Sequence, residues 1–181
     1  MEAAAKLFRQ QGYAATTTRQ LSGDLGIQRA SLYHHISTKE DLLFEISIRS
    51  LTQIIDAVSS AVDAAPPDQR MRTLISAHLA TALSGQDMHA TMLIELDHLS
   101  SERRAAVVAK RAAYERLVGR EVGQAQAAGL LRGDLSERQL TLALLNLLNW
   151  TIFWYRPDGA DTPTSLAAWM GDVFLLGAEP R

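Results

Sequence analysis

A chain of 181 residues with 47% apolar and 21% charged side chains can bury a sizeable core and is too apolar to remain disordered. The absence of cysteine excludes disulfide frameworks, thiolate zinc sites and thiol catalysis. The net charge of −2 is unevenly spread, because Lys6, Arg9, Arg19, Arg29 and Lys39 outnumber the acids of residues 1–44 by one, so a nucleic-acid partner for that segment is not excluded.

Met1 to Phe8 is charged and lacks a long apolar run, so it does not read as a secretory signal and a cytoplasmic location is expected. Helical periodicity dominates and no stretch alternates as a half-buried strand would; the expected fold class is all-α, with about nine helices. The first helix is expected over residues 2–11, with Leu7 and Phe8 inward and Gly12 as a left-handed C-terminal residue. Thr17 caps a second helix over about 18–25, halted by Gly26, and a third runs from about Gln28 to His35. Ser37-Thr38-Lys39-Glu40 has the spacing of a capping box and opens a long fourth helix that reaches Ala64 and breaks at Pro66-Pro67. Further helices are expected at about 68–83, 87–99 and 102–128, punctuated by Gly85 and Gly129. A second box, Ser136 with Gln139, opens an apolar helix ending near Tyr155, and Thr162-Pro163 starts the last helix with a cap followed by proline. The apolar stretch Leu140 to Tyr155 is interrupted by polar residues and falls short of the ~20 residues of a membrane span, so it reads as a buried helix and no membrane partner is expected.

Three short helices joined by tight turns within the first 36 residues have the dimensions of a helix-turn-helix head, with Leu7, Phe8, Leu21, Leu25, Ile27 and Leu32 as its small core. Arg29, Ala30, Tyr33 and His34 fall within an arc of about 140° on the third helix, opposite Leu32. A guanidinium beside a small residue suits base edges in the major groove, while Thr17, Thr18, Tyr33 and Lys39 suit phosphates. The same pattern also fits a plain three-helix bundle with a polar surface.

The run Ala4-Ala5-x-Leu7-Phe8-x3-Gly12-Tyr13-x2-Thr16-Thr17-Thr18-x2-Leu21-x3-Leu25-Gly26-Ile27-x2-Ala30-Ser31-Leu32-Tyr33-x-His35-Ile36-x-Thr38-Lys39-Glu40-x-Leu42 resembles, without a gap, the DNA-binding domain of the TetR family. That resemblance implies a head over residues 1–45 and an effector-binding and dimerisation domain over 46–181. It implies that Thr18 and Arg19 reach DNA, that Gln28, Arg29 and His34 read bases, and that Thr17, Ser31, Tyr33, His35 and Lys39 hold phosphates. Ile36 stands where the family usually has phenylalanine.

The helix over 137–155 is apolar nearly all round and needs cover on two sides. With the last helix, bearing Leu166, Trp169, Met170, Val173, Phe174 and Leu176, it is suited to a four-helix interface in a homodimer, although both helices also fit one monomeric core. The string Leu147 to Gly159 resembles TetR-type regulators that sense acyl-CoA or other CoA thioesters. That implies an apolar tunnel for which Met88, Met92, Leu96, Tyr114, Leu117, Asn146, Trp150, Phe153 and Trp154 are candidates, with Arg103, Arg104, Lys110 and Arg111 near the CoA phosphates. Ordinary core packing accounts equally for such methionines and aromatics. Glu95-x-x-His98 has di-iron spacing, but a di-iron bundle needs two copies and one is present. No phosphate loop, nucleophile elbow or His-Glu-x-x-His pair occurs, so no catalytic residue, metal or cofactor is expected. The resulting expectation is a ligand-responsive regulator, a repressor released from a palindromic operator on double-stranded DNA by a small hydrophobic or acyl-CoA effector. A dimeric adaptor without DNA binding is the alternative.

Overall fold

Eight α-helices and two short 3-10 turns, without a strand, make up the computed structural model among the residues it describes, 1–24 and 38–178. The expected third helix, its candidate contacts Gln28, Arg29, Ser31, Tyr33, His34 and His35, and the Ser37 cap lie outside the described residues. In chain order the helices are α1 (Glu2–Gln11), α2 (Thr18–Asp24), α3 (Lys39–Ala64), α4 (Arg70–Ser84), α5 (Gln86–Ile94), α6 (Ser101–Ala127), α7 (Glu137–Trp154) and α8 (Pro163–Gly177). None is long and apolar enough to cross a membrane.

Both expected caps in the C-terminal half form: Ser136 with Gln139 opens α7, and Thr162 with Ser165, followed by Pro163, opens α8. At the start of α3, Thr38 Oγ1 accepts from the Asp41 N–H (3.0 Å) and the Asp41 carboxylate accepts from the Thr38 N–H (2.7 Å), while Glu40 accepts from the Ser100 N–H (2.9 Å). Two expectations need correction. Gly12 has positive φ, 83°, but ψ of 149°, so the chain leaves α1 extended instead of curling left-handed. The helix expected over 87–99 ends at Ile94, and residues Leu96–His98 tighten into a 3-10 turn. There the Glu95 carboxylate pairs with His98 Nδ1 at 3.1 Å, and side chains three residues apart lie over one another in a 3-10 geometry.

The chain divides into two compact units. The first comprises Met1–Thr52 and Gly85–Lys110. In it α1 packs on α5 and α2, and Ala4, Ala5, Phe8, Leu21, Leu43, Ile46, Met88 and Met92 form a continuous buried cluster. Arg9 pairs with Asp87 (2.9 Å) and Thr91 Oγ1 donates to the Ala5 carbonyl (3.2 Å), which fastens α1 to α5. The second comprises Gln53–Ser84 and Arg111–Arg181, where α4 packs on α8 and α7 around Leu74, Ile75, Leu79, Leu144, Leu148, Ile152 and Leu166.

Candidate nucleic-acid interface and effector site

The N-terminus of α2 is built by its own sequence. Thr17 Oγ1 accepts from the Gln20 N–H (3.2 Å), and Gln20 Oε1 accepts from the Thr17 N–H (2.8 Å), a reciprocal cap that satisfies donors a helix start leaves orphaned. Thr18 is half-buried at the first helical position, and Arg19 is exposed. Thr17, Thr18 and Arg19 are therefore brought together at one helix start, where backbone N–H groups and a cation suit a phosphate.

Lys39, expected to hold a phosphate, lies against the loop that precedes α2. Its Nζ donates to the carbonyls of Tyr13 (2.7 Å) and Thr16 (2.9 Å), lies 3.5 Å from the Ala14 carbonyl, and sits 4.2 Å from the Tyr13 ring centroid. Desolvation lowers the pKa of this amine, against an opposing pull from Glu95. From the other side Glu95, only 8% exposed, accepts from the Tyr13 N–H at 3.1 Å. The Tyr13 ring rests on Phe8 and His98, with centroids 5.1 and 5.0 Å away. Burial raises the Tyr13 hydroxyl pKa, and the nearby Glu40 adds to the shift.

The anchor beneath Lys39 is also charged. Arg103 reaches Asp41 in a short ion pair and approaches Glu40 at 3.5 Å. The Arg103 bond holds the Asp41 pKa below its ordinary value, and the Ser100 N–H does the same for Glu40. These partners were not identifiable from the sequence, since they lie 60 or more residues apart; only Glu95 and His98 carried a signal, as a spacing first associated with metal. Among the described residues, His78 lies on Tyr114, His89 on Ser50 and His98 on Glu95. No group of three or more potential metal ligands occurs among the described residues.

The candidate effector residues separate into two sets. Met88 and Met92 are buried in the core of the first unit with Leu96 packed against them, and Tyr114 and Leu117 are buried in the second. The Tyr114 hydroxyl lies 2.7 Å from His78 Nδ1, and burial raises its pKa. Asn146, Trp150, Phe153 and Trp154 are instead exposed on α7. An open groove of about 300 Å³ in the second unit is lined by Ala112, Glu115, Arg116, Gly119, Glu137, Arg138 and Thr141, none of them an expected lining residue. Two of the cations expected near CoA phosphates are engaged, Arg103 with Asp41 and Glu40, and Arg104 with Asp97 at 2.9 Å.

The outer face of α7 and α8 is an exposed apolar surface. Trp150 (65% exposed), Phe153, Trp154, Trp169, Val173 and Leu176 (64%) form it, with Trp150 against Phe153 and Trp154 against Trp169. Large apolar residues concentrated in this way mark an interaction face.

Comparison with known proteins matches residues 1–46 to the family described as bacterial regulatory proteins, tetR family, and residues 64–178 to the tetracyclin repressor-like C-terminal domain. The chain is 30% identical over 165 residues to the HTH-type transcriptional repressor KstR2 of Mycobacterium tuberculosis, covering 88% of this chain and 80% of the relative. Among solved structures, the TetR family transcriptional regulator PfmR from Thermus thermophilus superposes with a TM-score of 0.89 at 33% identity, covering 97% of this chain and 96% of that one. AibR, in complex with isovaleryl coenzyme A and operator DNA, superposes with a TM-score of 0.84 at 28% identity, covering 95% and 94%.

Proposed function

The chain belongs to the TetR family of bacterial regulatory proteins, and from that premise we propose that it is a homodimeric repressor released from a palindromic operator when a small hydrophobic effector of the acyl-CoA class binds. It is a DNA-binding transcriptional regulator and not an enzyme, and its action belongs in the cytoplasm, where operator DNA lies.

The observation that carries the dimer is the outward aromatic face of α7 and α8. A second copy would cover it with the same residues about a two-fold axis, the arrangement of a self-complementary interface. Two-fold symmetry matches half-sites about 34 to 36 Å apart or a multiple of that. Residues 1–45 act as the DNA-binding head and 46–181 as the effector and dimerisation part. In the head Thr17, Thr18 and Arg19 present a capped helix start to the backbone, Gln28, Arg29 and His34 read bases, and Ser31, Tyr33 and His35 hold phosphates. The effector class is supported by the likeness to AibR, which was solved with isovaleryl coenzyme A, and Tyr114 and Leu117 are the buried candidates retained for its apolar part.

Regulation then follows from linkage: an effector that favours one dimer geometry weakens operator affinity, and operator DNA weakens effector affinity by the same factor. The test is operator affinity, on duplexes selected from a randomised pool, with and without isovaleryl coenzyme A and longer acyl thioesters. A coupling of about 1 to 3 kcal/mol gives a 5- to 150-fold loss. A thioester that binds tightly and leaves operator affinity unchanged refutes the effector assignment.

A further inference from the structure

We infer that Lys39 and Glu95 are positioning residues for operator binding, which together hold the Gly12–Thr17 loop that sets the start of α2 without touching DNA themselves. The inference rests on the regulator reading above and deepens it. An ammonium has three donors, and two are committed to short bonds on the Tyr13 and Thr16 carbonyls while the third points at Ala14. Glu95 takes the Tyr13 N–H with one carboxylate oxygen and His98 with the other. Tyr13 is thereby gripped at its N–H, its carbonyl and its ring.

The loop has no repeating backbone bonds of its own, apart from Thr16 returning to Gly12 and Tyr13, so these side chains fix its path. Thr17 follows Thr16 directly and caps α2, and a shift of the loop therefore moves Thr17, Thr18 and Arg19 as a body. The clamp stands on a firm base. Lys39 opens α3, whose first turn is held by the Thr38–Asp41 cap, by Arg103 on Asp41 and by Ser100 on Glu40. Turning Lys39 toward a phosphate would break two charge-assisted bonds at a partly desolvated site, which favours the clamp over the contact.

The experiment uses the full chain, duplexes selected by the wild-type protein from a randomised pool, and the variants K39A, E95A, E95Q and the double variant K39A/E95A. At temperatures where every variant is folded, K39A and E95A are each expected to weaken binding about tenfold or more. The slope of log affinity against log salt should stay at its wild-type value, and the double variant should be little weaker than either single one. Hydrogen exchange at the Tyr13 amide should accelerate in both single variants, with E95Q, which keeps an acceptor of the same shape, nearer to wild type. A salt slope shallower by about 0.9 in K39A, with E95A binding as wild type, would make Lys39 a phosphate contact and overturn the inference. Wild-type protein that selects no duplex sinks the regulator reading and the operator role with it. Unchanged Tyr13 exchange in K39A and E95A sinks the clamp even if DNA binds normally.

Discussion

At Asp41 one carboxylate serves two neighbours, the Thr38 N–H of its own helix start and the Arg103 guanidinium from the first turn of α6. Arg103 keeps the folded-state pKa below that of the unfolded chain, so Asp41 contributes stability above the ordinary aspartate range and loses it as the pH falls through the folded value. D41N should therefore lower the urea midpoint at pH 7, and the gap from wild type should close as the pH falls below the ordinary aspartate value of about 3.9. A gap independent of pH would assign the effect to shape instead of charge. The cap itself was only half legible in the sequence. Ser37 with Glu40 and Thr38 with Asp41 have the same spacing, and local pattern does not choose between them; Ser100 and Arg103, more than 50 residues away, claim Glu40 and strengthen Asp41. The charge on Lys39 was equally plain in the sequence, but its acceptors are backbone carbonyls, which no side-chain pattern records.

Helices whose ends are written in consecutive residues were readable, and helices ended by tertiary bonds were not. Residues 162–165 carry a cap, a proline at the first helical position and a reciprocal hydroxyl, and α8 begins there as expected. The break after Ile94 was missed because Met88, Met92, Leu96 and Leu99 keep a helical spacing across it, while the Glu95 side chain is held by Tyr13 and His98. Within α8, Gly171 is buried against α4, and a Cβ there would meet Arg72 Nη1 at 3.7 Å and Ile75 Cδ1 at 3.8 Å, ordinary contact distances. G171A should thus gain the helix preference of alanine without a clash, raising unfolding free energy by about 0.5 to 1 kcal/mol in denaturant titration. A loss of stability would mean that α4 and α8 approach more closely than these distances indicate.

For the molecule as a whole, chain order and compactness follow different lines: α5 and the first turns of α6 join α1 and α2 in one unit, although 60 or more residues separate them in sequence. Periodicity identified α5 as a helix and was silent on which core receives it. It did identify an excess of apolar surface on α7 and α8, now visible as the outer aromatic face. W150E places a charge in the middle of that face without disturbing the interior, since the indole is 65% exposed. Sedimentation should show a monomer that keeps its helical content and binds a palindromic duplex far more weakly; a variant that stays dimeric would place the interface elsewhere. The same face holds all three tryptophans of the chain, Trp150, Trp154 and Trp169. Indole emission shifts to shorter wavelength when water is removed from the ring, so pairing through the proposed face is expected to blue-shift the intrinsic fluorescence as protein concentration rises, read without any dye. Every indole lies beyond residue 149, far along the sequence from the residues proposed to meet the operator, so a bound duplex would leave that emission to the proposed subunit face.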